Sequence, residues 1–198
     1  MSRPDRAVDP SSGPLLPRLI SAVLLRRAFY DAVAADRRAT GPAGAIVCLA
    51  AIARESVSLY QLSQGFTTWG FVLVLIVLFA LARWLVYASI MFPIARALGG
   101  PAVPYTRLLR CLGFAETPAV LSLIGLLGDE QLLPWIQFGV GVWLLAATIV
   151  AVRSATGTST GRAAVIGSLG FAAYLGLGVA LDVATRVPEP TPAPPASP

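Results

Sequence analysis

The chain has 198 residues, 56% hydrophobic and 13% charged, with a mean hydropathy of +0.74, whereas a soluble domain carries about 25% charged residues. A water-soluble core that buries this much apolar surface is implausible, and lipid as solvent accounts for the excess. The net charge of +5 and the pI of about 9.9 would suggest nucleic acid in a soluble protein. Here the basic residues flank apolar stretches, so they read as topology signals and headgroup contacts, and no nucleic-acid partner is expected.

All 15 basic residues are arginine, and lysine, asparagine and histidine are absent, a bias that fits a GC-rich bacterial genome. Cys48 and Cys111 both fall in apolar stretches and read as small buried side chains, without disulfide or metal spacing. The first apolar patch, 19–25, is short and bracketed by Arg18 and by Arg26 and Arg27, with no small-residue cleavage site after it. No cleavable signal peptide is therefore expected.

In chain order, residues 1–14 are polar, contain Pro4, Pro10 and Pro14, and read as a disordered cytoplasmic leader. Residues 15–40 mix apolar side chains with Arg18, Arg26, Arg27, Arg37 and Arg38. Phe29 and Val33 share a helix face, which predicts an amphipathic helix lying on the membrane surface, apolar side down. Residues 41–182 form the transmembrane domain. Its five expected spans are 43–60, 68–90, 108–127, 134–152 and 163–181, each near the ~20 residues that a ~30 Å hydrocarbon core requires. The first is the weakest, because Arg54 and Glu55 interrupt it. Residues 183–198 form a proline-rich, disordered tail. The predicted fold class is an all-α membrane protein, five transmembrane helices preceded by an interfacial amphipathic helix.

The arginines orient these spans. Twelve lie before the first span or in the stretches joining spans two to three and four to five, whereas the opposite side holds Arg186 alone. The positive-inside bias then puts the N-terminus in the cytoplasm and the C-terminus outside. Dropping span one would set the seven leader arginines against the other five, so five spans fit better. Asp129 and Glu130 occupy a short exterior loop, and Trp69, Trp135, Tyr60 and Tyr105 fall near the expected interfaces.

Glu116 stands near the middle of span three, where an ionised carboxylate is costly unless paired or hydrated. Pro118 leaves the Phe114 carbonyl without its helical partner, and Thr117 is placed to bond back to Gly113 and ease the bend. A kinked polar spot is expected there, read either as a proton or solute relay or, preferably, as a paired or protonated carboxyl that fixes helix packing. Arg83 is the expected partner, unless it snorkels to the interface. Arg54 and Glu55 pose the same choice on span one. Ala164, Ser168, Ala172, Gly176 and Ala180 recur every fourth residue on span five, a small-residue stripe suited to close helix packing, within the chain or with a second copy. Without histidine there is no Ser-His dyad or histidine metal site, and no glycine-rich phosphate loop precedes a helix. No enzymatic activity, metal or cofactor is expected.

Residues 105–121 read YTRLLRCLGFAETPAVL and 143–165 read WLLAATIVAVRSATGTSTGRAAV. Both resemble the Yip1-domain family, whose third span opens on an Arg-Gly-aromatic/small-Pro pattern. In that family a later span ends in an arginine, here Arg153, and a short Ser/Thr/Gly loop leads to an Arg-Ala, here Arg162–Ala163. The segment 25–33 resembles the family's pre-membrane segment through Phe29, although Arg26 and Arg27 stand where a proline is expected. The resemblance covers roughly 25–182. It implies a polytopic, non-enzymatic membrane protein. Eukaryotic members are linked to Rab-type GTPases and membrane shaping, through a long N-terminal region that the short leader does not match, so GTPase binding is not carried over.

The function expected is that of an inner (plasma) membrane scaffold, partner-binding or membrane-organising protein. Its partners would be the bilayer and a membrane protein or a second copy. The alternative is a small transporter or channel subunit built on Glu116 and Arg83.

Overall fold

In the computed structural model, residues 20–61, 66–99, 103–126 and 131–185 are described, with side-chain surroundings for 20–55, 70–99, 103–124 and 131–177. The leader 1–14, Arg186 and Asp129 with Glu130 lie outside the described residues, as do the side chains of Tyr60, Trp69 and Ala180. The described residues are helical and contain no strand. A helical turn at 20–23 leads to α1 (Arg27–Ala35) and a 3-10 turn (Arg37–Ala39). Then follow α2 (Thr40–Gln61), α3 (Phe66–Gly99), α4 (Tyr105–Ala115), a 3-10 segment (Thr117–Leu126), α5 (Leu133–Thr156) and α6 (Thr160–Thr185).

The long helices form a closed ring. α2 packs on α3 and on α4 with its 3-10 extension, α3 on α6, α6 on α5, and α5 back on α4 and the extension. Small residues line the inside: Ala43, Ala50, Ala88, Ala95, Ala147, Ala151 and Ala163 are all fully buried. Bulky apolar residues face outward, among them Phe71, Val74, Leu78 and Phe79 of α3, Trp135 and Phe138 of α5, and Leu169 and Leu175 of α6. In lipid, small residues let helices approach while large ones need no protein partner, so the distribution is that of a bundle solvated by hydrocarbon.

Gly113 sets one of these close approaches. A Cβ there would come within 2.8 Å of the Ala43 Cβ and 3.2 Å of the Ala43 carbonyl oxygen, so α4 lies against the α2 backbone. Trp84 closes the same contact, and its indole Nε1 donates to the Leu109 carbonyl at 3.0 Å.

Two stretches among the described residues are long and apolar enough to cross a membrane, Gly70–Gly99 of α3 and Leu133–Thr156 of α5. The expected spans at 43–60, 108–127 and 163–181 are helical over their described residues but are not among those two. α2 carries Arg54 and Glu55, and α4 is only 11 residues long before it gives way to the 3-10 segment. α3 does not end at 90. It runs 34 residues, through Pro93 to Gly99, about 51 Å at ~1.5 Å per residue. Proline removes one backbone donor but does not end the helix here, because Met91 and Ala95 on either side are buried against the bundle. α6 likewise takes in residues 183–185, which were expected to open the tail.

α1 departs most from its expectation. Its apolar face, Phe29, Tyr30, Val33 and Ala34, is buried and packs on α4 and α5. The Phe29 ring meets Phe114 edge-on at 5.2 Å, and Tyr30 Oη donates to the Ala22 carbonyl at 3.3 Å. Burial, and secondarily the Cys111 thiol, push the Tyr30 hydroxyl well above the usual phenol range, so it remains a donor. The amphipathic pattern predicted an apolar face; the neighbour that covers it is protein.

Candidate intramembrane polar site

The carboxylate of Glu116 sits at the joint of the α4 segment. Glu116 is the C-cap of α4, with φ −74° and ψ −10°, and its N–H bonds back to Gly113 and Phe114. Beyond it the chain tightens to 3-10 winding, because Pro118 cannot donate the next α-helical bond. Thr117 Oγ1 donates to the Phe114 carbonyl at 2.6 Å, not to Gly113 as the sequence suggested. In a 3-10 turn the carbonyl three residues back is the one in reach, and here it is the carbonyl to which Pro118 cannot donate. Tyr30 Oη approaches the same carbonyl at 3.5 Å.

Glu116 is paired. Arg54 Nη2 of α2 donates directly to Glu116 Oε2. Arg83 Nη2 of α3 lies 3.7 Å from the same oxygen. The side chains are 21% (Arg54), 34% (Arg83) and 18% (Glu116) exposed, so the cluster is mostly withdrawn from the surface. Arg83 therefore contributes but is the outer partner, and Arg54, which the sequence left undecided between pairing and snorkelling, is the inner one. Three elements meet through one carboxylate, and in low dielectric such a link is worth more than at a wet surface.

A cavity of about 210 Å³ opens beside the cluster, lined by Arg54, Arg83, Glu116, Tyr87, Thr148 and Tyr174 among others. Tyr87 Oη donates to Thr148 Oγ1 at 3.5 Å, and the Tyr87 and Tyr174 rings lie 5.0 Å apart. Glu116 is the only acid lining it among the described residues. A second cavity of about 320 Å³ lies between α2 and α3, where Arg54, Glu55 and Arg83 meet an otherwise apolar wall. Neither the Arg54–Glu116 pair nor the Tyr87–Thr148 contact was legible in the chain. The only signal was that Arg54 and Glu116 both interrupt apolar runs, and charges inside spans seek each other. Among the described residues no group of three or more His, Cys, Asp or Glu could hold a metal ion.

The small-residue stripe of α6 does not line the ring. Ser168, Ala172 and Gly176 are exposed and Ala164 is half-buried. The buried face is offset, with Ala163, Ile166, Gly167 and Gly170 turned inward. Gly167 lies against Ile149 of α5, and Gly170 against the Met91 side chain of α3. Glycines offset from the four-residue series make the close contacts, because the inner face of α6 is set by α3 and α5 on either side of it.

No curated protein and no solved structure matches the chain. The sequence profile of the Yip1 domain matches residues 20–181, and this includes α1, the ring of long helices and the Glu116 joint. The chain belongs to the Yip1 domain family of membrane proteins.

Proposed function

We propose that this protein is a five-span inner-membrane protein, N-terminus inside and C-terminus outside, that acts as a non-enzymatic scaffold or partner-binding protein. The observation that carries this reading is the Arg54–Glu116–Arg83 cluster. A carboxylate clasped by two guanidiniums from neighbouring helices is a lock on helix packing, and among the described residues no second acid lines its cavity to receive a proton. The apolar exterior and the family agree with it. Five spans are supported by the alternation of the ring: the starts of α2, α4 and α6 and the ends of α3 and α5 share one end. There Gly99 meets Thr156 and Thr158, Arg107 Nη2 donates to the Ser154 carbonyl at 2.8 Å, and Arg110 Nη2 donates to the Ala34 carbonyl at 3.0 Å.

Capture of the tagged protein from native membranes in lipid nanodiscs tests this reading. A stoichiometric protein partner is the expected result. The 210 Å³ cavity favours a second reading, a solute or ion path. A protein recovered alone, with liposome flux that Glu116→Gln abolishes, would replace the scaffold by that path.

A further inference from the structure

A different cavity, of about 520 Å³, lies at the end of the bundle where α1 finishes and α2 and α4 begin. Among the described residues its polar lining consists of Arg37, Arg107, Arg110, Thr40 and Thr106, with no acidic residue. The volume lies within the ~300–1,000 Å³ of ligand sites.

Among the described residues these charges have no ion-pair partner. Arg110 is only 6% exposed, yet its hydrogen bond goes to a neutral group, the Ala34 carbonyl. Arg107 is likewise held by the Ser154 carbonyl. Arg107 Nε and Arg110 Nε are buried with no hydrogen-bond partner. The nearby acids are engaged elsewhere: Asp31 pairs with Arg27 at 3.5 Å, and Asp36 Oδ1 accepts the Arg38 N–H at 2.8 Å. A buried guanidinium without an anion is costly. α4 adds to the positive field, because it starts at this cavity with Pro104 as N-cap and no side-chain cap, and a helix N-terminus carries partial positive charge.

We propose that this cavity is a binding site for a phosphate group. Arg37, Arg107 and Arg110 supply the charge, and the Thr40 and Thr106 hydroxyls supply further donors. Guanidinium is suited to phosphate oxygens because its donors form a planar fork. Two sources carry this chemistry, the headgroup of an anionic phospholipid and a free phosphate in solution. The site does not depend on whether the protein is a scaffold or a conduit.

The test is to titrate the full chain, in neutral detergent, with short-chain phosphatidylglycerol, short-chain phosphatidylcholine or inorganic phosphate while its melting temperature is read. Arg110 also holds α1, so the variants are Arg37→Glu, at an exposed position, and Arg107→Gln. The expected result is a saturable rise in melting temperature with phosphatidylglycerol, its midpoint weakened about tenfold in either variant, as loss of a charge-assisted contact implies. The same variant-sensitive rise with inorganic phosphate alone would assign the site to a soluble anion; with both, to phosphate from either source. No rise with either anion, or a rise that both variants leave unchanged, would overturn the proposal, as would an equal, variant-insensitive response to phosphatidylcholine.

Discussion

Glu116 shows how a single side chain can tie three helices. Its nearer partner is Arg54 and its farther one Arg83, so the two arginines are not equivalent. Replacing Arg54 by Ala should lower stability by about 1–3 kcal/mol, less than for a fully buried pair because the cluster is partly exposed. Arg83→Ala should cost less, since the bond to Arg54 survives it. Thermal melts of the purified variants in one detergent check the order, and a larger loss from Arg83→Ala would show that the pairing is assigned to the wrong arginine. Gly113 makes a second demand at this scale. Gly113→Ala should cost about 1–3 kcal/mol through overpacking, because the Ala43 backbone it would strike cannot rotate away. Gly141, which has open space around it within α5, is the control. There, alanine should be neutral or stabilise by up to ~1 kcal/mol. Equal losses at both glycines would contradict the close approach of α4 to α2.

At the scale of the element, α1 is a docked part of the bundle. Phe29 is 1% exposed and lies against both Phe114 and Tyr30. Phe29→Ala should remove about 3–5 kcal/mol of packing, concentrated on α1. Hydrogen exchange is expected to show lost protection across Arg27–Ala35 with the amides of α5 little changed. Uniform loss throughout the bundle would mean that α1 is not a separable unit. The helical pattern of α1 was readable from its spacing, but a pattern of apolar positions says only that a face must be covered. Lipid and protein satisfy it equally. The joint after α4 was readable in part, since Pro118 announces a break. Which carbonyl Thr117 caps depended on the chain winding as a 3-10 helix beyond the break, and a proline announces a break without specifying the winding that follows it.

For the whole molecule, the inward alanines and outward phenylalanines, leucines and tryptophan describe a bundle turned toward lipid. The proposed five spans would put the termini on opposite faces. In a Cys48→Ala, Cys111→Ala background, Ser2→Cys and Ser197→Cys should react with a membrane-impermeant maleimide from opposite sides of the membrane. Labelling from the same side would reduce the span count by one and remove the weakest, α2, from the bilayer. The arginine bias makes the same demand, because charge near span ends is retained on the cytoplasmic side.

Composition, arginine placement and the two quoted segments were enough to specify a helical membrane protein and its family, because bilayer thickness and the cost of moving charge are imposed by the solvent and act on each span alone. Pairing is different. That Arg54 takes Glu116 before Arg83 does, that α6 turns Gly167 and Gly170 rather than Ser168, Ala172 and Gly176 inward, and that three arginines share one cavity with no acid among the described residues all depend on the rotation of each helix about its axis. Helix rotation is decided only when neighbouring faces pack together, and no single span contains that information.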